Sequence, residues 1–590
     1  MNDTPANHRY WIPITTTTLF AAAFVWLALK DDLDNNIWHW VLWFFPWLAL
    51  IFVALWFLLF SRFPGALRLK TFVALVLLFA VFKGVTRIDG AVNGTGLPNY
   101  VWRWSSHPER TFAQEVQAND WVLWFIPVLT LIFVALWSVL FSRFPRSPRL
   151  KAFAAVVLLF AVFKVVATID GARLPNHVSR WSPEPQRTFA KEVQANAPTL
   201  TDAPDVPEFR GAGRTGILPN PGLDTDWNAH PPRELWRISV GEGWGAFSVI
   251  GGRAITQEQR GEEEWVTCYD LGTGKVLWHH ADQARFKEWQ GGDGPRANPT
   301  HDAGRLYTIG GTGILNCLEV ATGKLLWTRN TLKEHDQKNL QWAIAGSPLI
   351  VDGNVIVTGG DKPGPTLVAY DKMTGEPKWK VGDMSATYAS PLLATIAGRR
   401  VIVDNVATGL LLHDAATGVI LLNQKWGFEG PPKCSQPVVL PGDRIFISAG
   451  YMMGCTLFQI KAEGDKLSAT ELWSNAKMKT QFNSVTPLGD TLIGLDDGPL
   501  ACLDIATGKR LWKEGKFGNG QHLLVGDLAL IQTEPGPVIL AQVSHEGFKQ
   551  LATLNALSTK TWNYPTLAGR YLLVRNDREA ACYELPVKKP

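Results

Sequence analysis

The sequence predicts an all-β propeller of eight four-stranded blades behind an N-terminal α-helical transmembrane region. Three observations lead there. A phrase of the type CYDLGTGKVLW (Cys268–Trp278) is written five times in the later part of the chain, an apolar strand with a Gly-containing hairpin opens a unit eight times, and the first 166 residues hold five long apolar runs. At 590 residues the chain also exceeds the size at which one hydrophobic core keeps growing, so more than one domain is expected.

From the N-terminus, Trp11–Leu29, Ile37–Phe60, Leu67–Val85, Trp121–Phe141 and Leu150–Val166 are apolar enough to read as spans. Trp11, Trp38, Trp40, Trp121 and Trp124 sit near span ends, where amphipathic rings meet a headgroup layer. A cleavable signal peptide has one short apolar core after a basic start, whereas this chain keeps returning to the membrane, so the runs read as retained anchors. Short-loop charge orients them. Arg62, Arg68 and Lys70 lie in one loop and Arg143, Arg146, Arg149 and Lys151 in another, against Lys30 with Asp31, Asp32 and Asp34 in a third. The basic loops face the cytoplasm, which puts the N-terminus inside and everything after Val166 on the periplasmic side of the inner membrane. The lipid bilayer is thus one expected partner.

The membrane region is duplicated. WVLWFFPWLALIFVALWFLLFSRFP (Trp40–Pro64) returns as WVLWFIPVLTLIFVALWSVLFSRFP (Trp121–Pro145), offset by 81, with Pro46 and Pro127 in register. Each copy is a helical hairpin followed by a polar outer loop. The copies run parallel and carry no mid-span charge, which favours anchoring or partner docking over transport. The expected organisation is therefore residues 1–170 as transmembrane region, 171–208 as outer loop and linker, and 209–590 as propeller. The Pro- and acid-containing stretch from Ala195 to Glu208 offers little to bury. A net charge of +4, with no Lys/Arg block interleaved with aromatics, excludes nucleic acid as an expected partner.

The repeat is marked by Trp236, Trp278, Trp327, Trp379, Leu422, Trp473, Trp512 and Leu551. Its spacing of about 40–50 residues is that of a propeller blade. Each unit opens on a hairpin, from GGRAIT at Gly251 to AGRYLLV at Ala568, and closes through a Thr-Gly turn into a strand ending at the mark. ELWRISV (Glu234–Val240) is a fourth strand with no three before it, and CYEL (Cys582–Leu585) is a third strand with no fourth after it. The entering strand is expected to complete the last blade, which removes two exposed edges at once. Asp270, Asp371, Asp414 and Asp504 share one phase and suit capping of the turn. Cys268, Cys317, Cys502 and Cys582 share another, as small buried strand residues in separate blades. Cys434 and Cys455 break the phase, and whether they pair stays open at this point.

These repeats resemble the tryptophan-docking motif of the quinoprotein propellers, from about Phe209 to Leu585. FRGAGRTGILP, TQEQRGEEEWVTCYDL and KTWNYPTLAGRYLLVRN look most like membrane-anchored PQQ-binding-like repeat proteins, related to the propeller lipoprotein of the outer-membrane β-barrel assembly machinery. The resemblance implies indoles stacked on the Thr-Gly turns of neighbouring blades. It also brings in pyrroloquinoline quinone (PQQ) with Ca²⁺ as a possible cofactor. PQQ alcohol dehydrogenases add adjacent cysteines, a Ca²⁺ held by Glu, Asn and Asp, and a catalytic Asp; adjacent cysteines are absent here, and no such metal set can be matched.

A ligand would bind in the funnel at one mouth of the ring. Aligning units on the hairpin Gly or the strand Pro puts Trp244, Arg296, Tyr388, Cys434, Gln481 and Trp562 in one phase there. Such side chains could stack on and pair with a planar anion or a peptide, or could pack the channel. No catalytic residue emerges, because Ser/His/Asp and paired-carboxylate patterns, zinc spacing and C-x-x-C-H are all missing from the sequence. The expected function is a binding or scaffolding module in the cell envelope with a protein or peptide partner. The alternative is a PQQ-dependent dehydrogenase that passes electrons to membrane quinone.

Overall fold

A computed structural model describes residues 64, 66, 70, 86–91, 98–102, 167–169, 175–179, 198–288 and 291–588. The chain divides into two units, Met1–Pro185 and Gln186–Pro590. In the first, Thr86–Ala91 pairs antiparallel with Pro98–Trp102, and Ala167–Ile169 with Pro175–Ser179. The leading strands start 81 residues apart (167 − 86), the offset of the sequence duplication, so each copy contributes a strand pair at the same place. Apart from Lys70, which is helical, the five expected spans lie outside the described residues. Among the described residues no helix is long and apolar enough to cross a membrane.

The second unit is an eight-bladed propeller. Blade 1 is built from Ser248–Ile250, Arg253–Arg260, Glu263–Asp270 and Val276–Asp282, and blades 2 to 7 repeat this up-and-down order through Leu554. Blade 8 joins Thr566–Ala568, Tyr571–Arg575 and Glu579–Glu584 to Arg233–Ser239, with Trp236 opposite Cys582. The seam is therefore where the unpaired motifs place it. Arg237 adds a 2.7 Å ion pair to Glu579 across it.

Why the blades stack is visible at each mark. The indole N–H of Trp236 donates to Leu271 O (2.8 Å), that of Trp278 to Val320 O (3.1 Å), that of Trp473 to Ile505 O (2.9 Å) and that of Trp512 to Ser544 O (2.9 Å), always on the third-to-fourth-strand turn of the next blade. Trp236, Trp278 and Trp473 lie against the turn glycines Gly274, Gly323 and Gly508, whereas Gly547, in the turn that receives Trp512, has no such neighbour. At Gly323, φ is +72° and a Cβ would fall 2.4 Å from Trp278, so only glycine serves both the turn and the contact. The turn aspartates do as expected: Asp270, Asp371, Asp414 and Asp504 each accept the N–H of the residue three positions on, at 2.7 to 3.0 Å. All six cysteines are free, Cys434 and Cys455 included.

A second set of bonds laces the blades at the neck of the ring, just before each innermost strand. Ala246 N donates to Asn298 Oδ1, Asn298 N to Ser347 Oγ and Ser347 N to Ser390 Oγ, at 2.8 to 2.9 Å. Gln436 Nε2 returns to Ser390 O, Gln436 N donates to Ser484 Oγ, Ser484 N to the Tyr564 hydroxyl, and Asn563 Nδ2 to Gly245 O. Gln521 ties blade 7 in by donating to Phe482 O and Trp562 O.

Residues 198–223 are packed against the ring, although the sequence reads as a free linker up to Glu208. Thr199 donates its N–H and hydroxyl to Asp270 (2.6 and 2.7 Å), and Val206 bridges Val249. Ala203 and Val206 are buried, because their small apolar side chains close over blade 1. The chain then enters the ring, turns at Ala212–Arg214 and returns as Ile217–Leu218, parallel to the innermost strand of blade 7. Leu223 finally meets Val587. Between them, Val206 to Leu218 touch innermost strands, or the residues leading into them, of blades 1, 2, 3, 4, 6, 7 and 8, which only a segment on the axis can do. This plug enters by the mouth opposite the neck.

Candidate functional site: a plugged funnel

Two arginines hold the plug. Arg214 is 1% exposed; it donates to Ser347 O (3.1 Å), Pro391 O (2.8 Å) and Pro348 O, and pairs through Nε with Glu208 (3.0 Å). Arg210 donates to Thr486 Oγ1 at 2.6 Å and lies 5.6 Å from the Tyr564 ring centroid. Burial lowers both guanidinium pKa values, and Glu208 offsets part of that for Arg214. The space left beside the plug is a cavity of about 10 Å³, roughly one water. The plug thus closes the axis from the side away from the neck, and the expected funnel residues lie on the neck side.

Its wall is aromatic. Trp244 and Trp562 have ring centroids 5.1 Å apart, Phe482 lies 4.8 Å from Trp562, and Trp342 meets Tyr388 edge-on at 5.7 Å. Trp562 Nε1 donates to Glu534 Oε1 at 2.8 Å; Glu534 is buried and its pKa is raised by that burial. Lys560, exposed, holds Nζ 4.1 Å from the Trp562 centroid and 4.9 Å from that of Trp244. Arg296 donates to Gly294 O (2.9 Å) and Gly292 O (2.7 Å). Burial pulls its pKa down to about 10, against the fields of Glu288 and Asp293. Tyr388 and Cys434 are its electrostatic neighbours, and burial pushes the Cys434 thiol up to about 12.

The expected residues therefore form two groups, Trp244 with Trp562, and Arg296 with Tyr388 and Cys434. Gln481 belongs to neither. It is buried and donates to Asp497 Oδ1 (3.1 Å). The neck bonds give the reason: Ser484 occupies the place of Ser347 and Ser390, so the residue in phase is Phe482, one position later. The lead into the innermost strand has the same length in blade 6 as elsewhere, but its hairpin glycine, Gly489, takes the first turn position where blade 2 has Ala303 before Gly304, so an alignment on the glycine falls one residue short. Trp342, Glu534 and Lys560 were also missed. Lys560 stands two residues before Trp562, but nothing in the repeat distinguishes it from any loop lysine.

Around the same aromatics, buried polar atoms lack partners: Gln521 Oε1, Asn563 Oδ1, Asn483 Oδ1 and the Trp244 Nε1 donor. Their amide nitrogens, where bonded, serve the neck. Among the described residues no three of His, Cys, Asp and Glu are grouped to hold a metal ion. Glu534 already accepts from Trp562 and, through Oε2, from Asn519 N at 2.8 Å.

Residues 262–514 match the family described as outer membrane protein assembly factor BamB. The match lies wholly within the propeller, whose repeats are similar to those of that family. The BamB of Burkholderia pseudomallei (strain K96243) is 24% identical over 362 residues, 58% of this chain and 85% of that protein. The dehydrogenase subunit of a quinone alcohol dehydrogenase from Komagataeibacter europaeus is 30% identical over 118 residues, 19% of this chain but 16% of that subunit. Among solved structures, BamB from Moraxella catarrhalis aligns over 61% of this chain and 99% of its own at 16% identity, with a TM-score of 0.43. A europium-containing methanol dehydrogenase aligns over 63% and 89% at 14% identity, with a TM-score of 0.41. PQQ-like repeats build a scaffold on which unrelated chemistries sit, so function has to be argued from the funnel.

Proposed function

We propose that this chain is a binding or scaffolding propeller of the cell envelope, held at the membrane by its N-terminal region, that takes a protein or peptide partner at the funnel mouth. One observation carries the reading. The ring is plugged from one side, and at the other its neck carries a cluster of aromatic rings beside buried amide oxygens that have no partner. Such a surface on a rigid ring suits recognition. The resemblance to an outer membrane protein assembly factor supports an envelope setting.

The test is a photoreactive amino acid placed at Phe482 or Trp342 in cells. One envelope protein should be captured and identified by mass spectrometry, and the same group at Thr553 on the outer strand of blade 7 should not capture it. Capture from Thr553 alone would overturn the funnel as the binding surface. Supplying PQQ and Ca²⁺ to the purified protein tests the dehydrogenase alternative: dye-linked oxidation of an alcohol or sugar that disappears in Arg296→Ala or Trp244→Ala would replace the proposal.

A further inference from the structure

We propose that the Trp244–Trp562 platform is a site for a cationic side chain, the arginine or lysine of a partner segment, and that in the free protein Lys560 occupies it. The inference rests on the reading of the funnel as a binding mouth and specifies what that mouth recognises.

The chain supplies its own stand-in. Lys560 is exposed as a residue, yet its ammonium lies over both indoles, at 4.1 and 4.9 Å from their centroids, where burial lowers its pKa against the fields of Asp577 and Glu534. That is the geometry in which a cation meets the negative face of an aromatic ring. The platform is primed for positive charge from behind as well. Trp562 donates its N–H to the buried carboxylate of Glu534, which pushes electron density into the ring, and Glu534 itself adds attraction to any cation in front.

Of the four unpartnered atoms, the Trp244 Nε1 donor would take a backbone carbonyl of the bound segment, and the other three are acceptors. Gln521 Oε1, Asn563 Oδ1 and Asn483 Oδ1 are buried acceptors with no donor. Each belongs to the platform's surroundings: Gln521 Nε2 is bonded to Phe482 O and Trp562 O, and Asn563 and Asn483 directly follow Trp562 and Phe482. Unmet acceptors call for donors, and ammonium and guanidinium groups carry donors only. An anion would meet these oxygens and Glu534 instead. The other cation of the mouth, Arg296, is committed to the carbonyls of Gly292 and Gly294. Arginine is the better ligand of the two, because its planar group stacks on an indole while its edge still donates.

Lys560 is then a competitor built into the site, and its removal should strengthen binding. The experiment is titration calorimetry of the full-length protein with a Gly/Ser heptapeptide bearing one central arginine, and with the same peptide bearing lysine, norleucine or glutamate. The arginine peptide should bind, lysine more weakly, and norleucine and glutamate not measurably. Lys560→Met should tighten the arginine peptide by about tenfold, and Trp562→Phe, a substitution that keeps a ring in place, should weaken it while leaving the melting temperature near that of the parent. An unchanged or weaker affinity in Lys560→Met, or a glutamate peptide that binds as well as arginine, overturns the inference. If that happens while photocapture from Phe482 persists, the binding-module reading stands and only its cation specificity falls; loss of both removes both.

Discussion

Arg214 sits 1% exposed with its nitrogens on carbonyls of blades 3 and 4 and on Glu208. Replacing it by methionine fills similar space but takes the donor from Ser347 O and Pro391 O and leaves half-buried Glu208, still bonded by Gly213 N, without its cation. Arg214→Met should cost about 3–5 kcal/mol, read as a lower denaturant midpoint at unchanged slope. Two acids carry the opposite sensitivity. Glu264 is buried opposite Asp282 across a strand pair and bonds Gly311 N at 2.9 Å; burial pushes its pKa from 4.5 up to about 7. Burial likewise pushes Asp404 from 3.8 up to about 7. A carboxyl whose folded pKa is raised favours the folded state while protonated. Its contribution is full below the unfolded value near 4 and is lost as pH rises through about 7. Stability should therefore fall across that window, by up to about 1.4 kcal/mol per pH unit for each group. Glu264→Gln or Asp404→Asn should flatten the profile of melting temperature against pH, and an unaltered profile would contradict the assignment.

At the scale of elements, the Thr-Gly turn is the most legible part of the sequence, since its Asp, Gly and Trp are all within one or two blades of each other. One copy does more than the rest. Asp504 bonds only within its own turn, to Thr507 N and Oγ1, whereas Asp270 also holds Thr199 and with it the start of the plug. Asp270→Ala should thus destabilise more than Asp504→Ala, by about 1–2 kcal/mol, and should expose the bonds around Leu200 to proteolysis. Equal losses would mean that the linker contributes nothing. The funnel residues were less legible. Trp244, Arg296, Tyr388 and Trp562 fall in phase because all units hold a common length before the innermost strand, and their glycine or proline marks it. Gln481 stood in for Phe482 because blade 6 lacks that proline and carries its glycine, Gly489, at the first turn position instead of the second, and a hairpin turn accepts glycine at either place.

For the whole molecule, closure depends on Arg233–Ser239 completing blade 8. Arg575 bolts the same seam from within, donating to Thr256 Oγ1, Gln257 O and Gly241 O. Deleting residues 233–239 should leave the strand Glu579–Glu584 as an open edge and break the ring; light scattering should report association, and calorimetry the loss of a single cooperative transition. A monomer that still melts cooperatively would show that the ring does not need its seam. The eight blades, their docking tryptophans and the seam could all be read from the chain, because a repeat protein writes each nearest-neighbour contact many times over and the repetition is itself the signal. The plug, and the lysine that covers the Trp244–Trp562 pair, could not. Arg210 finds Val485 across 275 residues and Lys560 finds a tryptophan of blade 1, contacts made once each, at an axis where eight blades converge and no period survives.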